Sequence, residues 1–203
     1  LPVVALIQYN TTDRTALYGE VSANNELIGS VYGLAYDRSN KYLYASAFLK
    51  RHVGLGQLGL GGIYRIDYNS GSANPAVTPI YTVPNVGDVV RPADLGAPNV
   101  PSMDTDAFGK IGKVGLGELD IMGDNTLWTV NMFNRTLARV NNIQDTAQIS
   151  SVEIPITSAP NCNNGVFRPL GLKVDCEKIY VGGVCTGENA NGTSADLSAS
   201  IHV

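Results

Sequence analysis

Three stretches of the chain repeat one pattern, and that repetition restricts the fold more than any other feature. They are GLAYDRSNKYLYASAF at 33–48, GELDIMGDNTLWTVNMF at 117–133 and GLKVDCEKIYVGGVC at 171–185. Each opens on a glycine and a short alternating strand, and turns through polar residues. Each then enters a second strand headed by Leu or Ile beside an aromatic: Leu43-Tyr44, Leu127-Trp128 and Ile179-Tyr180. A third strand follows in every copy (GIYRIDY at 62–68, TLARVN at 136–141, LSASIHV at 197–203), and a fourth run follows the first two (PIYTVP at 79–84, SVEIPI at 151–156). Apolar and polar residues alternate with period two, as in half-buried strands. An ordinary β-sandwich contains similar short strands, but a unit copied along the chain points to an all-β, β-propeller-like array of four-stranded antiparallel blades. The units fall at about 31–84, 115–157 and 168–203 within one domain spanning 1–203.

Closed propellers need at least four blades. Two units and most of a third leave the array incomplete, with strand edges and core uncovered. The expectation is a fragment of something larger, or a chain completed by neighbouring subunits. Between the first two units, residues 85–114 are rich in Pro, Gly and Asp and read as a long surface loop insert, a place where function often resides.

The run RHVGLGQLGLGG at 51–62 contains Gly54, Gly56 and Gly59 in the spacing G-x-G-x-x-G. A dinucleotide site needs a helix after those glycines to receive the pyrophosphate. Here the alternating strand GIYRIDY follows, so residues 49–61 read as a loop between the second and third strands. Arg51 and His52 at its mouth are candidate ligand contacts, or simply a solvated loop edge.

A formal net charge of −4 with scattered basic residues argues against nucleic acid or an anionic membrane surface as partner. No apolar run is long enough to cross a bilayer as a helix. The start, LPVVALIQYN, is not an intact signal peptide, although a chain whose leader has been removed reads the same way. The three cysteines form no C-x-x-C pair, which disfavours zinc and leaves a disulfide in the C-terminal segment with one thiol over.

Catalytic signatures such as G-x-S-x-G, H-E-x-x-H and the P-loop do not occur. Asp104 and Asp106, with Glu118 and Asp120 further on, are a candidate calcium set of hard oxygen ligands, against a reading as solvated loop acids and turn caps. The EF-hand pattern itself fails, because Gly115 falls where its last glutamate belongs. Asn10, Asn134 and Asn191 each begin an N-x-[ST] acceptor triplet, about as many as chance gives in so Asn-, Ser- and Thr-rich a chain. Trp128, in a strand, reads as core rather than as a sugar-stacking platform.

Taken in order, VYGLAYDRSNKYLYASAFLKRHVGLGQLGLGGIYRID, KVGLGELDIMGDNTLWTVNMFNRTL and RPLGLKVDCEKIYVGGVCTGE resemble the propeller-like domain of large bacterial secreted or cell-surface proteins. Many of those carry B-type domains like those of serine-aspartate-repeat adhesins. The resemblance implies an extracellular or cell-surface location and membership of a longer polypeptide, and it brings no catalytic residues. Cys162 and Cys185 stand where similar sequences have cysteines, whereas Cys176 departs from them. By the same resemblance Arg168 is a candidate ligand-binding residue near the blade axis, held by an acid such as Glu118. The function expected is structural, adhesive or binding, with glycans, other surface proteins or further copies of the chain as partners. Two alternatives stand beside it: a self-associating subunit of an extracellular assembly, and a propeller hydrolase or lactonase whose axial metal is held by Glu118 and Asp120.

Overall fold

The computed structural model describes residues 4–7, 17–21, 25–69, 75–92, 95 and 102–203, with side chains from residue 27 onward. The regular structure among the described residues is almost all antiparallel sheet. Strands β1 (Val4–Ile7) and β2 (Leu17–Val21) pair with each other. A single turn of helix, α1 (Asn25–Ile28), leads into the first large sheet: β3 (Val31–Asp37), β4 (Tyr42–Ala47), β5 (Gly62–Asp67) and β6 (Ala76–Thr82). After a short helix α2 (Thr105–Lys110), the second comprises β7 (Leu116–Ile121), β8 (Leu127–Asn131), β9 (Thr136–Asn141) and β10 (Ser150–Pro155). The third has three strands, β11 (Phe167–Asp175), β12 (Lys178–Cys185) and β13 (Ser198–His202). Every sheet is a simple meander whose neighbours in space are neighbours in sequence. The all-β expectation is met, and the sheets do not close on themselves.

The first strands of the three large sheets, β3, β7 and β11, run side by side. Glycines make that approach possible. A Cβ at Gly33 would stand 2.8 Å from the Gly117 carbonyl oxygen, and one at Gly117 would stand 2.6 Å from the Leu170 carbonyl oxygen. Each inner strand also shifts register beside its glycine: between Val31 and Leu34, between Leu116 and Leu119, and between Pro169 and Gly171. Such bulges re-aim a strand where it must bend. Polar stitches fasten the seam. The Ser46 hydroxyl donates to the Gly117 carbonyl at 3.1 Å, and the Val174 amide donates to Asp120 at 2.8 Å.

Alternation sorts the side chains into three layers. Ala35, Tyr44 and Ile63 of the first sheet pack on Leu116, Leu119 and Leu127 of the second. Trp128, Val130 and Met132 pack on Leu172 and Val181 of the third, so Trp128 belongs to the core. On the far face of the first sheet, Tyr64 and Ile66 pack with Ile28. Burial pushes the Tyr44 phenol up to about 12, helped by the neighbouring Asp37 carboxylate.

The first hairpin of each large sheet turns through a residue with left-handed backbone: Lys41, Asn125 and Cys176. Asp37 and Asp124 fasten two of these turns by accepting backbone amide hydrogens from Ser39 and Thr126. Cys176 occupies the matching place in the third, exposed and remote from pairing, while Cys162 and Cys185 are joined in a disulfide.

The third sheet begins at Phe167, one residue before the unit expected from about 168, and Arg168 and Pro169 extend the ladder towards Cys185. One reading is corrected here. The 85–114 insert is more than a surface excursion: Val86, Ala107 and Val114 are buried in the first layer of core, and α2 lies within it. The G-x-G-x-x-G run is a loop, as expected. It passes through one short 3-10 turn, Gly59–Gly61, and enters β5 directly. It docks on the backbone of residues 27–30, with Gln57 donating to Leu27 at 3.0 Å and Ser30 to Gly54 at 3.2 Å.

Candidate functional site

Because the inner strands run in the same direction, the β4–β5 loop, the described residues of the 85–114 insert, the β8–β9 turn and the β12–β13 loop all lie at one end of the sheets. Arg51, His52, Asp104, Asp106 and Arg168 all belong to this end.

Its centre is an ion pair. The Asp104 side chain is fully buried and accepts from Arg91, whose Nη1 lies 2.9 Å from Asp104 Oδ2. The same carboxylate accepts the His52 backbone amide at 2.8 Å, and Arg91 Nη2 donates onward to the Lys50 and Val53 carbonyls. One buried pair thus clamps the 50–53 loop to the insert. It holds His52 in left-handed backbone, at φ 60°, a conformation a non-glycine residue keeps only when its surroundings fix it. The His52 ring is exposed, with Nδ1 2.7 Å from the Ser102 hydroxyl. Arg51 lies over the ring of Phe108 at 5.1 Å, and Phe108 is 72% exposed.

Asp106 accepts the Val90 amide at 2.6 Å and pairs with Lys110 at 3.1 Å. The Val90 amide, and then Lys110, hold its carboxyl below the usual range. Lys110 also reaches Asp88 at 3.2 Å. At the far side of this end, Arg168 grips Glu188 with Nε at 2.9 Å and Nη2 at 2.6 Å, and Lys113 approaches the same carboxylate at 3.5 Å. The Arg168 guanidinium pulls the Glu188 carboxyl down to about 2. Arg168 therefore pairs with Glu188 and not with Glu118.

The four acids of the candidate calcium set are not brought together. Asp104 and Asp106 are engaged by basic partners at the loop end. Glu118 lies on β7 with its Oε1 facing the Leu34 amide, and Asp120 is taken by Lys173 at 2.7 Å. Among the described residues no three His, Cys, Asp or Glu side chains stand close enough together to hold a metal. Of the acceptor triplets, Asn10 lies outside the described residues, the Asn134 side-chain amide donates to Glu153 at 2.7 Å, and Asn191 sits exposed in a turn.

Beside these loops, between the first two sheets, lies an open groove of about 830 Å³. Leu58, Val86 and Phe133 line it, with Asn85, Asp88 and Asn134 at its rim. Arg91, Phe108 and Glu188 were not singled out from sequence. Each is isolated there, and its partner lies between 13 and 57 positions away.

No protein-family model matches the chain. It is similar to colossins. Colossin-D of Dictyostelium discoideum is 31% identical over 173 residues, covering 82% of this chain and 18% of that protein. Colossin-B of the same organism is 27% identical over 189 residues, covering 90% and 5%. Colossin-A is 30% identical over 222 residues, covering 99% and 2%. The chain thus spans less than a fifth of the curated relatives it matches. They come from a eukaryote, so the bacterial setting implied by the sequence resemblance finds no support among them.

Among solved structures, a luciferin-regenerating enzyme aligns at a TM-score of 0.44 and 14% identity, over 92% of this chain and 46% of that one. A streptogramin B lyase aligns at 0.26 and 11%, over 84% and 68%. At these scores neither likeness bears on this chain's chemistry. No helix among the described residues is long and apolar enough to cross a membrane.

Proposed function

We propose that the chain is a propeller-type module of a long extracellular, surface-associated protein, and that it binds a partner through its loop end without turning it over. One observation carries the reading. The charged groups at that end are consumed in holding the loops rigid, while the Arg51–Phe108 pair stands out from them. A fixed scaffold that displays an exposed aromatic with a cation over its face suits recognition of a protein or glycan surface. The side-by-side inner strands support the propeller arrangement. The Cys162–Cys185 bond supports an oxidising, extracellular setting. The small share of each relative that the chain covers supports a module within a long polypeptide, one that carries B-type repeat domains on the resemblance read from sequence.

The test is binding of the labelled chain to a glycan array and to immobilised extracellular proteins, with Arg51→Ala and Phe108→Ala in parallel. Binding that falls about tenfold or more in both variants, with unchanged thermal melting, supports the reading. Partner binding unaffected by either substitution removes the loop end from the function.

A further inference from the structure

The acceptor triplets read from sequence are not equivalent in the fold. In Asn134-Arg135-Thr136 both polar side chains of the triplet are spent on one carboxylate. Asn134 Nδ2 donates to Glu153 Oε1 at 2.7 Å, and the Thr136 hydroxyl donates to the same oxygen at 2.5 Å. Asn131, 1% exposed, adds a third donor to it at 3.3 Å, and its side-chain oxygen accepts the backbone amides of Phe133 and Asn134, each at 3.2 Å. The nitrogen that would carry a sugar is thus the one that ties the β8–β9 turn to β10. A glycan there needs this network opened.

Asn191-Gly192-Thr193 lies in the β12–β13 loop, where the fold uses every member of the triplet except the asparagine side chain. Gly192 runs against Gly187 so closely that a Cβ would strike the Gly187 backbone, and its amide donates to the Asn189 carbonyl at 2.9 Å. Thr193 caps the 3-10 turn Ser194–Asp196, with its backbone amide and hydroxyl donating to Asp196 Oδ2 at 2.8 and 3.0 Å. The Asn189 amide donates to the Asn164 carbonyl at 2.9 Å, and the Asn164 side chain reaches Asp196 at 3.4 Å, so the loop is tied to the entry of the third sheet. Among the described residues no hydrogen bond engages the Asn191 side chain, which stands exposed on this fixed turn.

We propose that Asn191 is an N-glycosylation site and that Asn134 is not. The donor is an oligosaccharide carried on a lipid pyrophosphate. Asn191 Nδ2 attacks the anomeric carbon of the first sugar; the new Nδ2–C1 bond replaces the C1–O bond to the pyrophosphate. The lipid pyrophosphate leaves, and Nδ2 gives up one proton. A hydrophilic group of that bulk must end outside the fold, which Asn191 allows and the Glu153 network opposes. The Cys162–Cys185 bond supports passage through an oxidising compartment, and the curated relatives are eukaryotic, as this transfer chemistry requires. The proposal rests on the extracellular reading but not on binding at the loop end.

The experiment is glycopeptide mass spectrometry of the native protein, purified from the cells that make it and from their medium. Peptides are compared before and after an amidase that releases N-linked glycans and leaves aspartate, with free thiols alkylated before any reduction. A glycan on Asn191 and an unmodified Asn134 are expected. Made in the same cells, Asn191→Gln loses one glycan from its intact mass, whereas Thr193→Ser keeps it, because serine also completes the triplet. An unmodified Asn191 overturns the proposal, and so does a glycan on Asn134. The thiols separate the causes. A bare Asn191 with Cys162 and Cys185 still bonded leaves the extracellular reading standing, whereas a bare Asn191 with both thiols free takes that reading down as well.

Discussion

Gly33 of β3 stands against Leu119 of β7 so closely that a Cβ on the glycine would lie 2.5 Å from the Leu119 amide nitrogen. The Ser46 hydroxyl stands equally near, but the Leu119 nitrogen and the Gly117 carbonyl oxygen are backbone, held in their own ladder, and cannot give way as the end of a flexible side chain would. The seam between the first two sheets therefore depends on the absence of one methyl group. Gly33→Ala is expected to lower unfolding stability by roughly 2 kcal/mol, in the range that overpacking costs, measured by urea denaturation. Gly171→Ala, whose added carbon meets only Gly182 at 3.9 Å, is expected to stay within about 0.5 kcal/mol of the parent. Equal losses in the two variants would show that the close approach is not what makes Gly33 sensitive.

Those glycines also show how far the sequence speaks. Their recurrence, with an aromatic eleven residues on in the first two copies, marked the units, because period-two alternation and polar turns are local properties. The one-residue difference between the β3–β4 and β7–β8 hairpins is equally local, yet it shifts the match: by strand pairing Gly33 corresponds to Glu118, and Gly117 to Tyr32. Only the ladder reveals that. The loop-end site was less legible. Arg51 and His52 were picked out as loop-mouth contacts and Asp104 and Asp106 as calcium ligands, but the Arg91–Asp104 clamp that organises them joins residues 13 positions apart, which no local pattern links. Glu118 and Asp120 looked like ligands beside Asp104 and Asp106 because sequence distance conceals that β7 carries them away into a sheet. Arg168 was expected to find an acid, and the acid proved to be Glu188, set by the β12–β13 loop.

Asp104 is the most deeply buried charged residue among the described residues. Its carboxylate is out of contact with solvent, and Arg91, whose side chain is 14% exposed, neutralises it. Asp104→Ala removes the carboxylate that neutralises the largely buried Arg91 guanidinium, and breaking such a pair costs about 3 kcal/mol or more. The loss is expected to appear both as a lower denaturation midpoint and as faster proteolysis within residues 50–53, which the clamp holds. Unchanged proteolysis there would mean that the loop is fixed by other contacts.

Acid stability follows from the Arg168–Glu188 pair. Glu188 has its carboxyl pulled from 4.5 to about 2 in the folded chain. As pH falls, the unfolded chain therefore takes up this proton first. The stabilisation from the pair is complete above about pH 4.5 and is lost progressively towards pH 2. Asp106, Asp124 and Asp196 are also held below their usual range and act in the same direction at low pH. Glu188→Gln is thus expected to flatten part of the decline in stability between these pH values, not all of it, and to cost on the order of 1 kcal/mol at neutral pH, given the partial exposure of the pair. A pH profile of denaturation midpoints, parent against variant, checks this. Parallel profiles would remove Glu188 as a contributor.

The disulfide gives the last expectation. Cys162 lies in the connection from β10 to β11 and Cys185 ends β12, 23 positions later, so the bond ties the entry of the third sheet to the exit of its second strand. Closing a loop of this size restricts the unfolded chain, and native bonds of this kind typically contribute about 2–4 kcal/mol. Cys162→Ser is expected to lower stability by that order and to bring unfolding of the third sheet forward, read by hydrogen exchange at β11 and β12. Cys176, exposed at its left-handed turn, is the free thiol. Alkylation of the native protein should label Cys176 alone, and reduction in denaturant should release all three cysteines. Labelling of Cys162 and Cys185 without reductant would remove both the staple and the chief support for an extracellular setting.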